Sequence, residues 1–275
     1  MKNHQRIDGI KTSYFAAGKL LMPIITLTTD LGTRDHYAGS VKGALISAIP
    51  DATIIDITHD IEPFNTLHAA HVFRNCYRDF PVGTIHLIGV NAFHDAATAT
   101  LVVQHQGCWF VAPDNGFFGL IWEEESPSSI FLLKEYESIF PMRDEFVRAA
   151  SHIISGTVEQ IAVKATTYRM SRMTKPLISE QYLRGSIVYF DRFGNAITNI
   201  QKKDFNAMVK GRNFTVAFKR YADVESLSLN YASVDESEKM CFFNSSGYLE
   251  IAINKGNARQ LLNLNYSDTV QIDFH

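Results

Sequence analysis

The chain has 275 residues, 46% of them hydrophobic and 20% charged, with a formal net charge of −3. That balance describes a folded protein of one large or two ordinary domains and excludes a disordered chain. No basic field favours nucleic acid or an anionic membrane surface, and no apolar run approaches the roughly 20 residues needed to span a bilayer.

Residues 1–21 mix polar and apolar side chains without the positive start and apolar centre of a secretory signal. The folded part is expected to begin at Met22, with residues 1–21 as an extension or an upstream translation start; an extra surface helix is the alternative. Cys76, Cys108 and Cys241 are far apart and follow no metal-ligand spacing, which fits a reducing cytoplasm.

From Met22 onward, strand-like and helix-like patterns alternate. The β-branched run Ile24–Thr29 reads as a first strand, and Tyr37, Val41, Ala44, Leu45 and Ala48 recur at helical spacing after it. Pro50-Asp51 ends that helix, and Thr53–Ile57 reads as a second strand. A helical pattern through Leu67, Ala70, His71 and Arg74 stops at Pro81-Val82-Gly83. Strands are then expected at Thr84–Gly89, Thr100–Gln104 and Trp109–Ala112, a turn at Pro113-Asp114-Asn115-Gly116 and a helix over Arg143–Ile154. Alternation of this kind predicts an α/β unit over residues 22–163, built on a mainly parallel sheet covered by helices.

Residues 164–181 are polar and irregular and read as a linker. Beyond Tyr182 the texture changes to short strands separated by turns: Gly185–Phe190, Phe214–Phe218, Met240–Phe243, Leu249–Ile253 and Thr269–Phe274. This predicts an antiparallel β-barrel over residues 182–275.

Three groups of residues carry candidate chemistry. Asp30 ends the first strand at the carboxyl edge, where ligands of open parallel sheets bind, and no glycine cluster beside it would hold a phosphate. Asp56 and His59 follow the second strand and could join Asp30 in a hard-metal site. No second cluster with ligand spacing supports that, so no metal is expected. Asp191-Arg192-Phe193-Gly194-Asn195 reads as a tight hairpin with Gly or Asn at positive φ, and Asn244 to Ala258 reads as turn, alternating strand and turn.

Taken in order, these segments resemble the SAM hydroxide adenosyltransferase family (SAM hydrolases), which shares its fold with the SAM-dependent fluorinases and chlorinases. The resemblance runs from about Ile24 to the C-terminus. It rests on Thr28-Thr29-Asp30-Leu31-Gly32, Pro50-Asp51-Ala52 with Asp56-Ile57-Thr58-His59, and Gly83-Thr84-Ile85-His86. Ala112-Pro113-Asp114-Asn115-Gly116, Phe193-Gly194-Asn195 and Gly247-Tyr248-Leu249-Glu250-Ile251-Ala252 complete it.

The resemblance implies a homotrimer that binds S-adenosyl-L-methionine (SAM) or adenosine between one subunit's N-terminal domain and a neighbour's C-terminal domain. SAM is substrate or ligand, and no cofactor is implied. Asp30 would accept hydrogen bonds from the ribose 2′- and 3′-hydroxyls, and Phe64 would lie beside the ribose. Asp191 would hold the methionine amino group, and Phe193 and Asn195 would flank and bond the adenine. Ser245 would meet the methionine carboxylate, the strand carrying Glu250 would border the ligand, and backbone at Ile253 would face the adenine edge.

The nominal reaction is attack of water at C5′, giving adenosine and L-methionine. SAM hydrolases assign it to an Asp-Arg-His set that this chain lacks. Asn91 stands at the Asp position, Ala and Thr fill the Arg region, and Pro141-Met142 replace the His-Gly that precedes Arg143-Asp144. Asn91, His94 and Arg143 are the residues expected to border the nucleophile, His94 being able to activate water near neutral pH. Ile197 and Ser246 stand where the halogenases carry Trp and Arg, which disfavours halide chemistry. The rival expectation is a non-catalytic SAM- or adenosine-binding trimer.

Overall fold

A computed structural model describes residues 22–92, 98–122, 125–135, 138–219 and 223–275. The first part comprises β1 (Ile24–Thr29), α1 (Tyr37–Ala48), β2 (Thr53–Thr58), α2 (Thr66–Arg74), β3 (Ile85–Gly89), β4 (Thr100–His105) and β5 (Cys108–Pro113). It continues with α3 (Phe117–Ile121), β6 (Ser129–Leu133), α4 (Pro141–Ile154), α5 (Val158–Ile161) and β7 (Ala162–Ala165). These strands form one sheet in the order β2-β1-β3-β5-β4-β6-β7. It is parallel from β2 to β5 and antiparallel from β5 to β7.

Side-chain alternation along the strands builds two cores, one on each face. Ile25 and Leu27 of β1 and Ile85 and Leu87 of β3 pack against Val41 and Leu45 of α1 and Phe146 of α4. On the opposite face Ile88, Phe110 and Ala112 pack against Ala69, Ala70 and Phe73 of α2 and Phe117 and Phe118 of α3. The chain leaves β1 through α1 to β2 on one side, then crosses back through α2 to β3 on the other. The carboxyl end of β1 is thus the sheet's topological switch point, where strand order opens a crevice.

The second part comprises β8 (Leu177–Ile178), β9 (Tyr182–Phe190), β10 (Ala196–Gln201), α6 (Lys202–Val209), β11 (Phe214–Ala217), β12 (Lys239–Phe243), β13 (Tyr248–Ile253), α7 (Ala258–Leu261) and β14 (Thr269–Phe274). All its pairings are antiparallel, in the order β11-β14-β9-β10-β13-β12 with β8 on β9, and the sheet curls barrel-like around Leu183, Ile187, Ile251 and Ile272. The α/β fold with a second antiparallel barrel-like sheet is therefore as expected. The sequence pattern missed β6 and β7, and placed Leu177–Ile178 in an irregular stretch. The two sheets meet where His71 of α2 stacks on Tyr189 of β9, with ring centroids 4.5 Å apart.

One core polar group is unusual. His86 of β3 is fully buried, its Nδ1 2.7 Å from Thr26 Oγ1 and its ring stacked on Phe110. Burial lowers its pKa to about 4. Burial, with His68 and Arg74 nearby, lowers that of His71 to about 4 as well. Both rings fold neutral, so the unfolded chain binds the extra protons between the ordinary value near 6.5 and 4. Their stabilising contribution is complete above about pH 6.5 and is lost as pH falls. Between pH 7 and pH 5 each histidine is expected to remove about 2 kcal/mol of unfolding free energy. Urea denaturation at the two pH values checks this: His86→Gln should shrink the wild-type difference by that order, and an unchanged difference would contradict it.

Candidate functional site

The switch point carries the first half of the site. β1 ends at Thr29, and a turn with Gly32 at φ +68° carries the chain away. A chain of contacts fixes this turn from behind: His59 Nδ1 lies 2.7 Å from Thr29 Oγ1, and Gly32 N donates to His59 O at 2.8 Å. His59 Nε2 lies 3.1 Å from Asp56 Oδ1, and Asp56 also pairs with Lys42. Partial burial opposes ionisation of Asp56, but the Lys42 hydrogen bond and the His59 and Lys42 charges outweigh it and hold the carboxyl below its ordinary value. Asp56 and His59 thus serve as scaffold behind Asp30, and among the described residues no three His, Cys, Asp or Glu side chains gather to hold a metal ion.

Asp30 itself is anchored through one oxygen. Its Oδ2 accepts from the backbone N–H of Phe64 at 2.9 Å and of Asn91 at 3.0 Å. Both donors are non-glycine residues in the left-handed region, Phe64 at φ 64° and Asn91 at φ 49°. Each conformation costs roughly 1 kcal/mol or more, strain of a kind that clusters at ligand sites. The two amides fix the carboxylate and leave Oδ1 without a hydrogen-bond partner among the described residues.

The Pro113–Gly116 turn holds the loop that carries Asn91 and is itself tied to the segment at Arg169. Asn115 Nδ2 donates to Val90 O at 3.0 Å, and Asp114 Oδ1 accepts from Arg169 N at 2.7 Å. Gly116 is required in this turn, since its φ is +95° and a Cβ there would lie 2.1 Å from Ser171 Oγ.

Phe140, Pro141 and Met142, at the start of α4, join Asp30, Leu31, Gly89 and Ala92 around a shallow indentation. Met142 is buried, with its sulfur so close to Gly89 that no Cβ would fit there. Arg143 turns its guanidinium onto Asp144, with Nε 2.6 Å from Oδ1 and Nη2 3.0 Å from Oδ2, and does not line the indentation. Tyr37, edge-on to Phe140 at 5.7 Å, extends the aromatic rim and was not singled out from sequence. His94 lies outside the described residues.

The second half lies on the other sheet. The Asp191–Asn195 turn closes the β9–β10 hairpin with Gly194 at φ +83°, the positive φ expected there. Gly194 also lies hard against the Asn257 side chain, which leaves no room for a Cβ. Asp191 Oδ1 accepts from the N–H of Phe193 at 2.9 Å and of Asn195 at 2.8 Å. Its Oδ2 accepts from Asn195 Nδ2 at 2.9 Å. Asn195 Nδ2 spends its other hydrogen on Tyr231 Oη at 2.9 Å. The carboxylate is acceptor-only, which fixes the amide orientation and makes oxygen the group that Asn195 can offer a ligand.

Tyr231 Oη in turn donates to Glu250 Oε1 at 2.8 Å, and Asn244 Nδ2 donates to Glu250 Oε2 at 3.1 Å. Burial pushes the Glu250 carboxyl up, while these two bonds pull it down. Burial and the Glu250 partner both push the Tyr231 phenol up. Ser245 is exposed on the turn that Asn244 caps, and Ile253 is buried with its carbonyl accepting from Gly256 N at 3.0 Å. Tyr231 was not singled out from the sequence, and Asn244 only as the start of a turn; both join this network in the structure.

Among the described residues, the indentation beside Asp30 and the cleft beside Asp191 share no lining residue. A cleft of about 470 Å³ beside Asp191 is lined by Gly194, Asn257, Arg259 and neighbours, all from the second part of the chain. Phe64 and Phe193 stand 62% and 74% exposed, one on each half.

Comparison with known proteins bears on both halves. The sequence profile of the SAM hydroxide adenosyltransferase N-terminal domain matches residues 25–162, and that of the C-terminal domain matches residues 185–271. An (R)-S-adenosyl-L-methionine hydrolase of Methanocaldococcus jannaschii is 31% identical, over 92% of this chain and 96% of that protein. A fluorinase of Actinopolyspora mzabensis is 24% identical, over 91% of this chain and 97% of its own. Among solved structures, an uncharacterised conserved protein from Thermotoga maritima superposes with a TM-score of 0.82 at 31% identity, covering 90% of this chain and 99% of that one.

The left-handed anchor at Asn91 is open to test by thermal or urea denaturation. Asn91→Gly should leave stability within about 0.5 kcal/mol, because glycine adopts positive φ freely. Asn91→Val, β-branched in a conformation that crowds Cβ, should cost roughly 1–2 kcal/mol. Equal stability of the two variants would contradict a strained anchor.

Proposed function

The chain belongs to the SAM hydroxide adenosyltransferase family, and on that premise we propose that it binds SAM and hydrolyses it to adenosine and L-methionine. The observation that carries this reading is the Asp30 carboxylate, fixed by two amides through Oδ2 and open at Oδ1 beside exposed Phe64. An ionised carboxylate so held suits a vicinal diol, because charge-assisted hydrogen bonds to its oxygens are strong. On the other half, Asn195 offers only an acceptor, which matches the 6-amino group of adenine. Asp191 supplies negative charge for the methionine ammonium, and Ser245 is placed for its carboxylate.

The Asp30 side offers only a shallow indentation, and the cleft beside Asp191 takes no lining residue from that side, which supports a pocket completed by a second subunit. We assign the ligand to the interface of a homotrimer, between one copy's Asp30 half and a neighbour's Asp191 half. The exposed Phe64 and Phe193 rings would then close on the ribose and the base.

In the reaction a water oxygen attacks C5′, the C5′–S⁺ bond breaks, and its electron pair passes to sulfur to give the neutral thioether of methionine. The water gives up one proton to bulk solvent or to a neighbouring base. Because the leaving group is neutral, no acid is needed, and catalysis reduces to aligning water, C5′ and sulfur. Asp30 fixes the ribose for that alignment. Asn91, whose N–H is committed to Asp30, would border the water, with His94 as a further candidate; Arg143, paired with Asp144, would not.

A second reading, a binder without turnover, is favoured by one observation. Pro141, followed by buried Met142, stands where the resemblance implies a functional histidine, and neither side chain offers a donor or base. Incubation with SAM, followed by chromatography for adenosine and methionine, separates the two. Equimolar products above the uncatalysed background support hydrolysis, whereas tight binding without products selects the binder.

Two binding results are expected under either reading. Asp30→Ala should weaken adenosine about 100-fold by calorimetry, the loss of two hydroxyl bonds to a charged acceptor. Inosine, which presents a carbonyl oxygen to the Asn195 oxygen, should bind about tenfold or more weakly than adenosine. Equal affinity for the two nucleosides would contradict the assigned base contact.

A further inference from the structure

Glu250 lies in the middle of β13, 5% exposed, and its two oxygens serve two different turns. Oε1 reaches through Tyr231 to Asn195 and so to the Asp191–Asn195 turn. Oε2 accepts from Asn244, whose Oδ1 accepts from Ser246 N and Tyr248 N, both at 3.1 Å, and so shapes the turn that carries Ser245. The polarity of every bond is forced. Asp191 fixes the Asn195 amide, and two backbone N–H groups fix the Asn244 amide, so each turn sends a donor toward Glu250. A residue that accepts at both ends of a buried link is what the geometry demands, and an ionised carboxylate meets it. Bonds of this kind within a low-dielectric interior reinforce one another.

We propose that Glu250 is a positioning residue that couples the two turns through Tyr231 and Asn244, so that the grip on the nucleoside end and the grip on the amino-acid end of the ligand are set together. This rests on the SAM-binding reading above but assigns roles that it does not require. Glu250 has no need to touch the ligand: it acts through Asn195 on one side and through the Ser245 turn on the other. The reach is long in sequence, since Tyr231 is 36 residues from Asn195 and 19 from Glu250.

Calorimetric titration of SAM and adenosine into the full-length protein and its variants tests the coupling. Tyr231→Phe removes one oxygen from a side chain 42% exposed and leaves the fold in place. It should weaken adenosine and SAM alike, by about fivefold. Asn244→Ala should weaken SAM by about fivefold while leaving adenosine within about twofold, since adenosine has no amino-acid end. The double variant should bind SAM at least about threefold more tightly than the product of the single losses, because residues in one network are not additive. Glu250→Gln, which preserves shape but only one of the two acceptors, should restore one link and so only part of the affinity that Glu250→Ala loses.

Losses that multiply in the double variant, or an Asn244→Ala loss equal for both ligands, would overturn the coupling while leaving the binding function intact. A wild-type protein that binds neither SAM nor adenosine would overturn the functional reading and this inference with it. If Glu250→Ala does not fold, the Tyr231 and Asn244 cycle decides alone.

Discussion

The structure turns on one carboxylate and the two amides that hold it. Asp30 stands where the parallel part of the first sheet reverses its strand order, so three segments converge there: the end of β1, the loop entering α2 and the loop leaving β3. Two of these segments reach Asp30 Oδ2 only by placing Phe64 and Asn91 in left-handed conformations. Strain in the backbone is thereby exchanged for a carboxylate with one oxygen locked and one open. The scaffold behind it, Lys42–Asp56–His59–Thr29, contains the acidic and imidazole groups that sequence alone left open to metal ligation. In place they brace a turn through their contacts with one another and with Thr29.

The second half solves a different problem with the same economy. In the Asp191–Asn195 turn both amide hydrogens of Asn195 are taken, by Asp191 and by Tyr231, which leaves its oxygen as the group on offer. Specificity of this kind comes from what a fixed group cannot do, since an amide free to rotate would accept either a donor or an acceptor. Glu250 carries that fixation inward and across to the neighbouring turn. The catalytic question is set by chemistry rather than by residue count. In the proposed reaction a sulfonium leaves as a neutral thioether, so Asn91 and Pro141, where the resemblance implies Asp and His, would withdraw assistance to the nucleophile but not the driving force for departure. Alignment is the part that Asp30 can still supply.

Much of this was legible in the chain. The run Ile24 to Asp30 announces a buried strand ending in a polar group because β-branched residues and a terminal carboxylate have few other uses together. Phe193-Gly194-Asn195 announces a hairpin turn, and Gly194 supplies the positive φ. Phe64 was placed near the ribose by resemblance, yet its left-handed backbone had no sequence signal, because glycine or asparagine is the usual mark of that conformation. Tyr231 and Asn244 were hidden for another reason. Tyr231 meets Asn195 and Glu250, 36 and 19 residues away, only once the second sheet forms, and Asn244, whose partners are local, carries no sequence signal beyond that of a turn. The strands β6 and β7 lie on the antiparallel side of the sheet beyond β4, and β7 escaped because it has only four residues, one of them Lys164.

The central claim is that a SAM pocket is assembled from the Asp30 half of one subunit and the Asp191 half of another. Co-expression of an Asp30→Ala chain with an Asn195→Ala chain tests it most directly, with SAM-binding capacity per chain measured by calorimetry. Each variant alone should bind weakly, and the mixed assembly should recover a fraction of sites at wild-type affinity, because some interfaces then join two intact halves. Mixed assemblies with no recovered sites, or variants that lose affinity only additively within one chain, would contradict a pocket shared between subunits.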